Sequence, residues 1–352
     1  MVLQRGMMVA TLIAITLILS AVLCSAQHLT SGTLSVTVRP QDGSYEFGPI
    51  GSQPTLQSSI GALVDHKWLH SGSYPSHSVS ESQFTDALGS GRQLTVTCSG
   101  LRGSPDLIYT VQLYAEDPYG TVQVRVRNGT DQPTSVQAIR SVEAAGEPIL
   151  NLGGRSSDER VLSDSFSEDW PDLVIYDLGE APGGMHRGVG SQLIYNRQTR
   201  QSLFIGALTS DRFLTILRLK VEGNGAGAKI GSYNVESTGT TEIQKDLSEA
   251  ETLAPKHLTS DRIELSLPLK PGEEMGSERV MFAVGPDYLG QLRAYGSAIR
   301  QLHHARVSSR IPMGWWSWTA FYAAINEGET LANADWLGTA FEFSRLQLFS
   351  GG

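Results

Sequence analysis

The sequence predicts a mainly β protein: a large antiparallel β-sandwich over residues 27–288, a linking helix over 289–310, and one strand followed by one helix over 311–352. Three observations predict it. Short runs rich in β-branched and aromatic residues recur along most of the chain, and many alternate with polar residues as a half-buried strand does. Gly, Pro, Asn and Asp punctuate these runs at turn spacing. Only beyond residue 288 do apolar residues settle into the threes and fours of a helix.

The first 26 residues read as a secretory signal, with Arg5 as the positive n-region, an apolar stretch from Met7 to Leu23, small residues after it, and cleavage after Ala26. This predicts a secreted or periplasmic protein. A membrane anchor is the competing reading, because the apolar stretch approaches the length a bilayer needs. Ala21, Val22 and Leu23 do not form the small-residue run that precedes a lipidated cysteine, which makes lipid anchoring through Cys24 the weaker alternative.

Eleven candidate strands follow: Thr33 to Val38, Gln93 to Cys98, Leu107 to Ala115, Thr121 to Arg127, Ser135 to Val142, Gln192 to Tyr195, Ser202 to Leu208, Phe213 to Val221, Lys229 to Val235, Ile263 to Leu267 and Arg279 to Val284. Thr121 to Arg127 shows the alternation best, with Val122, Val124 and Val126 on one face and Gln123, Arg125 and Arg127 on the other. Turn chemistry separates the strands at Asp117-Pro118-Tyr119-Gly120, Asn128-Gly129, Gly223-Asn224-Gly225 and Pro271-Gly272. This many short strands in one region predict a sandwich of supersandwich size. Gly290 to Ala305 then predicts a helix, with Leu289, Leu292, Tyr295, Ile299 and Leu302 on one face. From Ile311 the chain carries Pro312, Gly314, Trp315, Trp316, Trp318, Phe321 and Tyr322, a dense aromatic run that predicts a strand covered on both faces. Beyond Asn326, Glu327 and Glu329 precede Leu331, Ala334, Leu337 and Phe341 at helical spacing.

Composition excludes some functions. The net charge of −9 comes without a basic run, which argues against a nucleic-acid partner. Of the two cysteines, Cys24 leaves with the signal, and Cys98 is read as a small buried strand residue with no disulfide partner. No cofactor is predicted. Gly223 to Ala228 fits a loose phosphate-loop pattern but lies between strands, where a hairpin loop is the simpler reading. His66 and His70, four apart, would share a helix face, yet no third metal ligand is in view. Asn128-Gly129-Thr130 is a glycosylation sequon in a turn.

The segment P-M-G-W-W-S-W-T-A-F-Y with L-A-N-A-D-W-L after it resembles the opening strand and helix of the catalytic barrel in α-galactosidase-type glycoside hydrolases of family 36, relatives of the raffinose synthases. Those enzymes carry a large β-sandwich of similar length before the barrel. The resemblance therefore implies that the last segment is one β/α unit of a truncated (β/α)8 barrel. It also implies an α-galactoside as the partner of the full-length relative, with self-association left open. By the same resemblance Trp318 is expected to lie in the galactose pocket, and Trp316, on the same strand face by parity, is expected to be a second sugar contact; Trp315 is read as packing. Thr319 departs from the pattern, since several relatives carry an acidic or amide residue there. Retaining glycosidases use two carboxyl groups about 5 Å apart, and in this family both come from later barrel strands. No residue here matches either, so no catalytic residue is predicted and the chain is expected to be inactive as it stands. A secreted sandwich that binds carbohydrate or a protein without catalysis is the alternative.

Overall fold

The computed structural model describes residues 26–146, 149–163, 174–239, 265–307 and 316–340. The signal segment, Trp315 and Phe341 lie outside the described residues. The chain divides into two compact units, one ending at His304 and the other running from Ala305.

The first unit is a sandwich of two sheets, each with ten strands and every pairing antiparallel. The chain visits them in turn. Sheet 1 receives β1 (Gln27–Ser31), β2 (Leu34–Arg39), β3 (Ser44–Pro49), β4 (Leu56–Val64) and β5 (Lys67–His70). Sheet 2 follows with β6 (Ser76–Thr85), β7 (Ser90–Ser99), β8 (Asp106–Tyr114) and β9 (Tyr119–Arg127). The chain returns to sheet 1 with β10 (Thr134–Ala144), then to sheet 2 with β11 (Glu159–Ser163) and β12 (Val174–Asp177). β13 (Met185–Val189) joins sheet 1, and β14 (Ser191–Asn196) and β15 (Ser202–Ala207) join sheet 2. Sheet 1 is completed by β16 (Leu214–Glu222), β17 (Lys229–Thr238) and β18 (Leu267–Leu269), and sheet 2 by β19 (Glu274–Gly276) and β20 (Val280–Gly285).

Alternation decides which side chains fill the space between the sheets. Val36, Val38, Tyr45, Phe47, Ile60 and Ala62 of sheet 1 are buried with Leu94, Val96, Tyr109, Val122, Val124 and Phe282 of sheet 2 in one core. The Phe47 and Phe282 rings stack across it with centroids 4.3 Å apart, and Tyr45 meets Tyr109 at 5.6 Å. Gly120 is required beneath this layer, because a Cβ there would lie 2.4 Å from the Phe282 ring. Cys98 is fully buried in the same core, and burial pushes its thiol up to about 12, which makes it a packing residue and not a nucleophile.

The helix α1 (Tyr288–Leu302) is not a free connector. The Asp287 carboxylate accepts the Gly290 N–H at 2.8 Å and caps it. Its Leu292, Tyr295, Ile299 and Leu302 cover Phe204, Met281, Leu208 and Ala283 on the outer face of sheet 2, forming a second core. Tyr295 donates its hydroxyl to the Ala207 carbonyl at 2.7 Å, which pins the helix to the end of β15.

Three sequence readings change. His66 and Asp65 form the positive-φ corner of the β4–β5 hairpin, so His66 to His70 is turn and strand, not helix. Asn128 is fully buried and is not at a hairpin tip; its amide donates to the carbonyls of Gln132 and Leu269, which leaves the sequon without an accessible nitrogen. The strand expected over Ile263 to Leu267 is observed at Leu267–Leu269, and its first two positions lie outside the described residues. The glycine-rich Gly223 to Ala228 is the loop of the β16–β17 hairpin, as read.

Candidate functional site

The residues expected to contact sugar lie in the second unit. Trp316 is 68% exposed and Trp318 51% exposed. The extended aromatic strand is not observed across them: Trp318–Phe321 is a single helical turn, in which the Ser317 carbonyl accepts the Ala320 and Phe321 N–H groups at 3.1 and 2.9 Å. Among the described residues no strand pairs with this segment, and an unpaired strand would leave its backbone groups without partners. Local helical bonding satisfies them instead. Trp316 and Trp318 therefore do not share a strand face. Trp318 meets Tyr322 edge to face at 5.7 Å, with Tyr322 held at a φ of 47°. The helix that follows, α2 (Glu327–Ala340), begins as expected. Asn326 and Glu329 cap it reciprocally, side chain to backbone N–H in both directions at 3.0 and 3.3 Å.

A second constellation, which the sequence reading missed, lies on the outer face of sheet 1. The register aligns His70, Gly61, Arg140, Glu236 and Ile216 in one row across β5, β4, β10, β17 and β16. Glu236 faces away from the core yet is only 1% exposed, because Arg140 and Arg218 close over it at 2.9 and 3.5 Å. Arg140 also binds Glu143, whose other oxygen accepts from His70 Nδ1 at 2.6 Å. Burial pushes the Glu143 carboxyl up, but the His70 hydrogen bond and the Arg140 charge outweigh it and hold the group below the usual carboxylate range. Gly61 makes the arrangement feasible, since a Cβ there would stand 3.3 Å from Glu143 Oε2 and 3.5 Å from His70 Nδ1. Above the guanidinium lies Trp68, with the Arg140 Cζ 3.6 Å from its ring centroid. The result is a half-buried indole fixed on a cation, bordered by an imidazole and an ionised carboxylate.

This array can stack a flat apolar face and hydrogen-bond to hydroxyls. No three His, Cys, Asp or Glu side chains among the described residues are grouped to hold a metal. The missed signal was the recurrence of Arg and Glu on the outward positions of β10, β16 and β17, which reads in one dimension as a solvated face.

No protein-family model matches the chain, and no curated protein does. Solved structures do. An α-galactosidase from Lactobacillus brevis is similar over 89% of this chain and 47% of its own, at 10% identity and a TM-score of 0.50. The likeness is one of fold. A GH36 α-galactosidase from Geobacillus stearothermophilus, in complex with 1-deoxygalactonojirimycin, is similar over 92% of this chain and 49% of its own, at 11% identity and a TM-score of 0.47. A putative aldose 1-epimerase from Escherichia coli is similar over 74% of this chain and 99% of its own, at 13% identity and a TM-score of 0.41. The chain thus spans about half the length of the α-galactosidases it matches.

Proposed function

We propose that this chain forms the β-sandwich part of an exported α-galactosidase-like glycoside hydrolase, acting with retention on terminal α-galactosides in the full-length relative. The observation that carries the reading is the fold likeness to an α-galactosidase over 89% of the chain but only 47% of that enzyme. The aromatic motif from Pro312 to Tyr322 supports it on the sequence itself. Trp318, and Trp316 beside it, are the proposed galactosyl contacts. The nucleophile and the general acid belong to the part of such an enzyme that these residues do not span, so the 352 residues alone are expected to turn nothing over. Cleavage of the leader after Ala26 would leave Gln27, the first residue of β1, as the new terminus.

The test measures the mature chain against aryl α-galactosides and, by tryptophan fluorescence, against raffinose. Absence of turnover, with a raffinose response that Trp318→Ala removes, is the expected result. Turnover that survives repurification would overturn the assignment of inactivity, and a raffinose response indifferent to Trp318→Ala would remove this residue from the site.

A second reading, a sandwich that binds carbohydrate without catalysis, is favoured by the indole of Trp68 fixed on Arg140 beside His70 and Glu143. Under it, Trp68→Ala and not Trp318→Ala would abolish the raffinose response.

A further inference from the structure

At one end of the sandwich, turns from both sheets enclose a cleft of about 610 Å³. Sheet 1 contributes Thr33 and the segment from Pro49 to Thr55; sheet 2 contributes Thr199, Gln201 and the end of β20. The loop through Asn151, Leu152 and Gly153 closes the side. The volume falls in the range of about 300–1,000 Å³ typical of small-molecule sites.

The lining is unusual in its chemistry. It contains no Asp, Glu, Lys, Arg or His. Its polar groups are hydroxyls and carboxamides, and the side chains of Thr33, Ser52, Gln53 and Gln201 enter no hydrogen bond with a described residue. Pro49, Leu152, Val284 and Pro286 supply apolar faces between them. A charged ligand would lose its hydration here with nothing of opposite sign to replace it. An apolar ligand would strand the amides. What fits is an uncharged molecule that carries hydroxyls on its edges and C–H groups on its faces.

The rim is also held in place before anything binds. The Asn151 N–H donates to the Thr55 carbonyl at 2.8 Å, and Thr199 Oγ1 donates to the Leu152 carbonyl at 2.7 Å. The Asn151 side chain accepts the Gly153 N–H at 3.1 Å. Gly153 and Gly154 both take left-handed φ values, 68° and 72°, which let the loop turn tightly against Thr199. A preorganised rim lowers the ordering cost of binding.

We infer that this cleft is a binding site for a neutral oligosaccharide. The inference stands on the lining alone and does not require the galactosidase reading. The test uses the mature chain and calorimetric titration with raffinose, lactose, maltotriose and cellotriose as probes. Two variants address the cleft: Ser52→Trp, which plugs its mouth from an exposed position, and the double variant Gln53→Ala/Gln201→Ala, which removes donors without adding bulk. At least one probe should bind with one-to-one stoichiometry, and each variant should weaken it about tenfold or more while the melting temperature holds. If Ser52→Trp does not fold, the double variant decides. Failure of all four probes to bind, or binding indifferent to the double variant, overturns the proposal. Binding lost in Trp318→Ala instead would assign it to the aromatic segment of the second unit, and so separates this inference from that reading.

Discussion

Glu278 offers the sharpest test of how the sandwich is held together. The chain crosses from sheet 2 to sheet 1 between β15 and β16, and the crossing residues Thr209 to Phe213 fold around this one carboxylate. Its Oε1 accepts the N–H groups of Arg212 and Phe213 at 2.9 and 2.8 Å; its Oε2 accepts that of Asp211 at 3.0 Å and the Thr209 hydroxyl. The residue is only 3% exposed, so water cannot replace these bonds. Glu278→Gln keeps the shape but turns one oxygen into a donor. The Asp211 N–H then faces an NH2 group and loses a charge-assisted bond of about 1.5–3 kcal/mol, and the surviving bonds fall to the neutral level of about 0.5–1.5 kcal/mol each. The sum is about 4 kcal/mol, or on the order of 10 °C in melting temperature for a domain of this size. Calorimetry reads the shift, and amide exchange at Asp211, Arg212 and Phe213 reads its location. A melting temperature within about 2 °C of wild type, or exchange unchanged at those three amides, would refute the idea that this carboxylate secures the crossing.

Further outcomes are expected. Glu159 is buried without a hydrogen-bond partner for its Oε2, and burial pushes its carboxyl up to about 8. Because the folded value lies above the unfolded one, this group's contribution is full below about pH 4.5 and is lost as pH rises to about 8. Glu159→Gln should flatten that limb of the stability profile and raise stability at pH 9 by about 3–5 kcal/mol; a profile parallel to wild type would count against it. Glu143 carries the opposite sign: its lowered carboxyl stabilises above the unfolded value and loses that contribution as pH falls, so Glu143→Gln should weaken the protein at neutral pH and matter little in acid. Arg140→Met uncovers buried Glu236 and should cost about 3 kcal/mol, partly recovered in the double variant with Glu236→Gln; additive losses by chemical denaturation would mean that the two do not interact. A chain ending at His304 keeps both cores and should melt as one cooperative unit, whereas one ending at Pro286 bares Phe204, Met281 and Leu208 and should aggregate in light scattering.

The sequence by itself determined the class of this fold and much of its strand content. Where one face of a strand is buried and the other is wet, alternation is visible, and β7, β8 and β9 were legible for that reason. β6, reading S-H-S-V-S-E-S-Q-F-T, was not, because it is a sheet edge with little to bury, and polar residues on both faces carry no period. The helix at Tyr288–Leu302 was evident from its apolar stripe, but only the packed structure showed that the stripe covers the outside of sheet 2. The aromatic run failed in the opposite way. Composition said strand, yet strand geometry needs a paired strand alongside it, and among the described residues no strand pairs with Trp318–Phe321, which bonds locally as a helical turn instead. Long-range register decided the rest. Arg140 and Glu236 stand 96 positions apart, His70 and Glu143 stand 73 apart, and no local pattern links either pair. Only pairing of β5, β4, β10 and β17 side by side sets His70, Arg140 and Glu236 in one row with the Glu143 side chain reaching into it, where their charges balance and burial becomes tolerable.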